Sequence, residues 1–294
     1  MTVGGKNGAE NKAPQGAFSA PAWDLGERVL TPAGRPLVMG IVNLTPDSFW
    51  SGSRAQGVEA AVAHALRLVA EGADLLDLGA ESSRPGAQAV STQEEQDRLL
   101  PVLEALRRQT EAPITVDTIR ASTARQALAG GADAVNDISA ATDEEMLAEV
   151  ARQGCGLILM HMQGTPGTMQ EAPRYREVVA DVSAYLEERV AQAVLAGIPE
   201  GRLVVDPGIG FGKTLEHNLA LLRGLAQVGQ GRPLLLGASR KSFIGQLTGA
   251  ETGDRLPGSL AALAAAYRSG ASLVRVHDVA ASVQFLDVLA AVSP

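Results

Sequence analysis

LVVDPGIGFGKT, Leu203 to Thr214, decides between kinds of α/β protein. An apolar run, a glycine-rich turn, Gly-Lys-Thr and a helix-like continuation follow the order of a phosphate-cradling P-loop. Counting back from Lys213, that loop needs glycine at 207, where this chain has Pro207. Proline fixes φ and removes an N–H donor at the point where backbone must turn toward phosphate. A dinucleotide-binding turn fails as well, because the glycines fall at 208, 210 and 212 and not in GxGxxG spacing. The stretch is one strand and one turn of something else.

The rest of the chain repeats that unit. Short β-rich runs bounded by breakers occur at 37–43, 75–80, 114–118, 134–139, 156–162, 203–208, 234–239 and 273–278. A helical stretch follows each. VEAAVAHALRLVAEG ends at Gly72, and STQEEQDRLLPVLEALRRQ opens on Ser91 or Thr92 with Glu94 or Glu95 as capping partners. GAD at 72–74 and 131–133, and GAS at 270–272, stand in equivalent places before strands. Strands apolar on both faces that alternate with helices make a parallel sheet covered by helices. Eight units over residues 37–291 fit a single-domain (β/α)8 TIM barrel better than a doubly wound open sheet. WDLGERVLTPAGRPL, from Trp23, is expected to form a hairpin closing the barrel floor.

Composition narrows the function. The chain has 294 residues, 46% of them hydrophobic, which supports a large core. A net charge of −8 argues against broad nucleic-acid or anionic-membrane binding. The single Cys155 excludes an internal disulfide and fits a reducing, cytoplasmic setting. No apolar run reaches a membrane span, and the N-terminus has no apolar core of a secretory signal. Residues 1–21 read as a disordered lead-in, with the barrel domain over 22–294.

Almost every strand turns polar at its C-terminal end, where a barrel carries its chemistry. Those ends hold Asn43, Asp77, Asp117, Asn136, Asp137, His161, Asp206, Ser239 with Arg240 and Lys241, and Arg275, His277 and Asp278. Burying such groups unpaired costs several kcal/mol, so they need partners or a ligand. Some have a structural reading: Asp143, Asp137 and Asp278 as caps or loop acceptors, Asp77 as a partner of Arg84. His161 reads equally as a satisfied inner histidine or a site residue. His64, His217 and Lys213 are expected to face solvent. Asp117, Asn136, Asp206 and Lys241 converge on one mouth and suit a flat heterocycle with N–H and carbonyl edges, pterin-like or guanine-like. Arg84, Arg275 and His277, with the hydroxyls of Ser82 and Ser83, form a cationic set for phosphate oxygens. Phosphates bring Mg²⁺, with Asn43 as an oxygen ligand. No Cys/His cluster points to zinc.

NLTPDSFWSGS, ESSRPGA, VDTIR, VNDIS, LMHMQGTP, DPGIGFGKT, GASRKSFIG and RVHDV, in this order from Leu37 to Val279, resemble the dihydropteroate synthase family. The resemblance implies a (β/α)8 barrel that joins 4-aminobenzoate to 6-hydroxymethyl-7,8-dihydropterin diphosphate with Mg²⁺ in folate biosynthesis. It implies that Asp117, Asn136, Asp206 and Lys241 hold the pterin ring, with Met160 lining the pocket and Arg275 stacking on it. Asn43, through Mg²⁺, would hold the diphosphate with Ser83, Arg84, Arg275 and His277. Aminobenzoate would lie near Pro85, Phe211, Lys241 and Ser242, its carboxylate at a helix N-terminus. The catalytic set would be Arg84, Lys241, Arg275 and His277. The family also implies a homodimer and inhibition by sulfonamides, which mimic aminobenzoate. The second loop departs from the family pattern at Ala80 and Ser83, where GGES and STR are common. Ala80 matters if that position needs φ > 0. The first two loops, including Trp50, are expected to order only on substrate. A pterin-dependent methyltransferase and a non-catalytic paralogue are the alternatives.

Overall fold

The computed structural model describes residues 18–45, 54–84 and 86–293. Two short strands, β1 (Trp23–Asp24) and β2 (Val29–Leu30), pair antiparallel. The barrel strands are β3 (Leu37–Asn43), β4 (Leu75–Gly79), β5 (Ile114–Asp117), β6 (Ala134–Asp137), β7 (Gly156–Met160), β8 (Leu203–Asp206), β9 (Leu235–Leu236) and β10 (Leu273–Val276). Helices between and after them are α1 (Arg54–Ala70), α2 (Thr92–Arg107), α3 (Ala121–Ala129), α4 (Met146–Gln153), α5 (Val178–Leu195), α6 (Leu215–Arg223), α7 (Leu225–Gly229), α8 (Ser242–Thr248), α9 (Leu256–Arg268) and α10 (Val279–Val292).

All eight barrel strands are parallel, in the order β8-β7-β6-β5-β4-β3-β10-β9. The ring closes where Val205 bridges to Leu234 and its N–H meets the Pro233 carbonyl at 3.0 Å. This is the (β/α)8 barrel expected from the unit count. The expected strand that began at 234 keeps only two residues of regular pairing, Leu235 and Leu236.

The hairpin forms the floor. Trp23 is fully buried and its Nε1 donates to the Arg202 carbonyl at 2.9 Å. It packs with Leu25, Leu37, Met39, Leu75, Ile158 and Leu273. Gly156 makes room for it: a Cβ there would stand 2.7 Å from Leu25 and 2.8 Å from Trp23. Strand periodicity then builds the site, because side chains two residues apart share a face. Two positions above the apolar floor residues Leu75, Ala134, Val204 and Leu273 come Asp77, Asn136, Asp206 and Arg275. Apolar alternation at the bottom becomes polar at the mouth.

Helix ends follow local chemistry. Ser91 caps α2, its Oγ accepting from the Glu94 N–H at 3.1 Å. Thr214 caps α6 and His217 completes the capping box, so His217 is half-buried and structural. The helical stretch after the turn breaks at Gly224, where a Cβ would press to 3.0 Å of Val179. The lead-in expected to run to residue 21 is docked over its last four residues. The Phe18 ring lies 4.9 Å from that of Tyr267, and Ser272 Oγ donates to the Pro21 carbonyl at 2.7 Å. Residues 1–17 and the first loop from Pro46 to Ser53, with Trp50, lie outside the described residues. Among the described residues, no helix is long and apolar enough to cross a membrane.

Candidate active site

The strand ends surround a cleft of about 430 Å³ that includes its mouth open to solvent. Asp117, Asn136, Met160, Asp206, Phe211, Lys241, Arg275, His277 and Ser83 all line it. Ile41, Ile138, Gly237 and Ser239 complete its walls.

Beneath the cleft lies an ionic network. Arg275 Nε donates to Asp77 Oδ2 at 2.6 Å and its Nη2 to Asp117 Oδ2 at 3.0 Å. Asn136 Nδ2 donates to the same Asp77 oxygen at 3.1 Å, and Thr115 Oγ1 donates to Asp77 Oδ1. Asp77 thus pairs with Arg275 and not with Arg84, and it has no exposed surface. Its role escaped the sequence reading, although the alternation from Leu75 already turned it inward. Because a carboxylate only accepts, Asp77 fixes the Asn136 amide with its nitrogen downward. Burial works against the Arg275 cation, but Asp77 and Asp117 overcome it and hold the guanidinium above its usual pKa. Burial pushes the Asp117 carboxyl up to about 7, against the pull of Arg275.

The opposite wall comes from β8 and the loop after β9. Asp206 Oδ1 accepts from the Gly208 N–H at 2.7 Å. Burial raises its pKa, opposed by that bond and by Lys241. Lys241 Nζ donates to the Ile209 carbonyl at 2.5 Å and sits 4.0 Å from the centre of the Phe211 ring. Burial brings this ammonium down to about 7, with Asp206 opposing. Arg240, at a left-handed φ of 55°, holds the turn before Lys241. Its guanidinium binds both oxygens of Asp278, at 2.9 and 2.5 Å. Asp278 is therefore an ion-pair partner, not a side-chain cap of α10. Asp137, as expected, takes loop bonds, from the N–H and hydroxyl of Ser139 at 2.7 and 2.6 Å.

His277 departs from the expected cationic set. Its Nδ1 lies 3.0 Å from Ser239 Oγ. Burial, then Arg275 and Arg240, brings it down to about 4, so it is neutral at pH 7. Lys213 is the largest correction. It is 3% exposed and bonded to His161 Nδ1 at 2.9 Å, instead of facing solvent. Burial brings Lys213 down to about 7, and burial with Lys213 brings His161 down to about 3. His161 is the satisfied inner histidine; it does not line the cleft.

The phosphate-side candidates are less gathered. Arg84 is exposed and outside the cleft lining, Ser83 is half-buried in it, and Pro85 lies outside the described residues. Ser242 is exposed in the first turn of α8. Asn43 ends β3, half-buried and in register with Gly79. Among the described residues, no group of three or more His, Cys, Asp or Glu could hold a metal. Ala80 is not among the left-handed residues, so glycine's freedom is not needed there. Its carbonyl accepts from Arg98 Nη1 at 3.1 Å.

A parallel barrel whose mouth sets two carboxylates, an amide and an ammonium around a cleft belongs to the class of heterocycle-binding TIM-barrel enzymes. Residues 39–277 match the pterin binding enzyme family. The dihydropteroate synthase of Neisseria meningitidis serogroup B is 49% identical over 86% of this chain and 92% of its own. The Xanthomonas albilineans dihydropteroate synthase structure with 4-aminobenzoic acid is 47% identical, with a TM-score of 0.86 over 94% of this chain and 100% of that one. A structure of the same enzyme with 7,8-dihydropteroate is 46% identical, with a TM-score of 0.83 over 93% and 100%. The chain belongs to the dihydropteroate synthase family.

Proposed function

We propose that the chain joins 4-aminobenzoate to the methylene of (7,8-dihydropterin-6-yl)methyl diphosphate, giving 7,8-dihydropteroate and diphosphate. The observation that carries this reading is the convergence of Asp117, Asn136, Asp206 and Lys241 on one cleft. Carboxylates and the Asn136 amide oxygen accept from ring N–H and exocyclic amine groups, while Lys241 answers ring acceptors. Met160 gives the ring an apolar face, and the Arg275 guanidinium lies beside it.

Cleavage of the methylene C–O bond releases diphosphate and leaves a cation that the ring stabilises. The aromatic amine then forms the new C–N bond and loses one proton to solvent. An aniline-type amine is neutral at pH 7, so the chain needs no strong general base. Arg275 supplies a permanent positive charge near the departing group, and Arg84 and Ser83 add donors from the second loop. Neutral His277 donates one hydrogen bond rather than a full charge. Phe211 and Lys241 bound the aminobenzoate side, and the α8 N-terminus at Ser242 favours its carboxylate.

One neutral oxygen ligand, Asn43, fits a Mg²⁺ that arrives with the diphosphate and keeps its waters, and not a resident metal. When bound, the ion supplies charge neutralisation for the leaving group. The reading further includes a homodimer, supported by the exposed Val288 and Val292, one turn apart on α10. A cytoplasmic setting is supported by the lone, buried Cys155.

The test is incubation of the chain with both substrates and Mg²⁺, with mass-spectrometric detection of dihydropteroate and a diphosphate assay. Product should require both substrates and stop on chelation. No dihydropteroate at micromolar enzyme sinks the reading.

A further inference from the structure

Lys213, from the stretch that resembles a P-loop, has no part in the chemistry above. Its ammonium lies 2.9 Å from the Phe211 carbonyl, 2.9 Å from His161 Nδ1 and 3.3 Å from the His161 carbonyl. In its ammonium form Lys213 has three protons and accepts nothing, so these contacts satisfy it and set the His161 proton on Nε2 in that form. The turn around it is closed. Gly208, Gly210 and Gly212 have φ of 65°, 84° and 63°. A Cβ at Gly208 would stand 1.9 Å from the His161 carbonyl oxygen, and one at Gly212 2.5 Å from that of Gln163. The loop after β7 adds two hooks: Tyr175 Oη donates to the Gly212 carbonyl at 2.7 Å and Gln170 Nε2 to that of Gly210 at 2.8 Å. Phe211 therefore joins two lysines. Its carbonyl meets Lys213 in the protein, and its ring meets Lys241 in the cleft.

We propose that Lys213 is a positioning residue for the aminobenzoate half of the site. It ties Phe211 and His161 together, and so sets where the Phe211 ring and the Lys241 ammonium meet the substrate. This rests on the assignment of Phe211 and Lys241 under Proposed function. Of the pterin-side residues, Asp206 opens the turn and accepts from the Gly208 N–H at 2.7 Å, while Asp117 and Asn136 stand on β5 and β6 and are bonded to Arg275 and Asp77. Loss of Lys213 therefore falls unequally on the two substrates.

Three variants of the full chain test this. Lys213→Met keeps the stem and removes all three donors. Lys213→Gln restores an uncharged donor. Tyr175→Phe frees the same turn from the loop after β7. With both substrates varied, the KM for 4-aminobenzoate should rise roughly tenfold in Lys213→Met and about threefold in Tyr175→Phe, with Lys213→Gln between them. The KM for the pterin diphosphate, whose ring Asp206 and Lys241 also serve, should rise less, by no more than about threefold in Lys213→Met. If Lys213→Met does not fold, by circular dichroism and thermal melting, the other two variants decide. Parallel rises in both KM values, or no change in folded variants, overturn the proposal. No dihydropteroate from the unaltered chain overturns the functional reading itself. Product from it, with unchanged variants, overturns only the role of Lys213.

Discussion

Replacing Asp77 by asparagine removes one charge from the middle of the barrel and little else. The carboxylate has no exposed surface and accepts from Arg275 at 2.6 Å, from Asn136 at 3.1 Å and from Thr115. Breaking a buried ion pair at one partner costs about 3–5 kcal/mol. Arg275 keeps Asp117 at 3.0 Å, and the new amide oxygen still accepts one bond. The lower end, about 3 kcal/mol, is therefore expected. In a domain of this size each kcal/mol moves Tm by about 2–4 °C, so melting should fall by roughly 6–12 °C. Asn136 also loses the acceptor that orients its amide, and the pterin diphosphate KM should rise about tenfold. Differential scanning calorimetry at pH 7.5 and steady-state kinetics read the two effects. A Tm within about 1 °C of the unaltered chain, with an unchanged KM, would refute the claim that Asp77 supports the site.

Other predictions concern the mouth, the floor and pH. Asp206→Asn should raise the pterin diphosphate KM about a hundredfold, while Arg84→Ala should mainly lower kcat; equal, negligible effects contradict the site map. Gly156→Ala pushes a methyl against Leu25 and Trp23, and urea unfolding should show a loss of about 1–3 kcal/mol. His277 and His161 are held neutral, at about 4 and about 3, against an ordinary value of 6.5. The unfolded chain then binds more protons than the folded one between those values and 6.5. Their contribution to stability is full above 6.5 and falls as pH drops through that window. His277→Gln should flatten the pH 4–6.5 slope of unfolding free energy; an unchanged slope counts against a neutral His277.

The barrel was legible because each unit repeats the same physics: a two-sided apolar strand, a helix, then a breaker. The floor was legible too, since Trp23 and the turn after it marked a hairpin before the first long strand. The convergence of Asp117, Asn136, Asp206 and Lys241 followed from their shared position at strand ends. Pairing was harder. Asp77 meets Arg275, and Asp278 meets Arg240, across 198 and 38 residues respectively. No local pattern encodes which guanidinium reaches which carboxylate. Lys213 misled for another reason. A lysine at a helix start is ordinarily solvated, but here three left-handed glycines fold the turn inward and gather carbonyls around its ammonium. Residue type suggests a cation at His277, while its charge state depends on burial and two arginines.

A crystal structure of the chain with 7,8-dihydropteroate shows whether one cleft holds both halves of the product. The pterin edge should lie within hydrogen-bond distance of Asp117, Asn136 and Asp206, with the aminobenzoyl group against Phe211 and Lys241. Product bound elsewhere, or a pterin ring turned away from those three side chains, would contradict it.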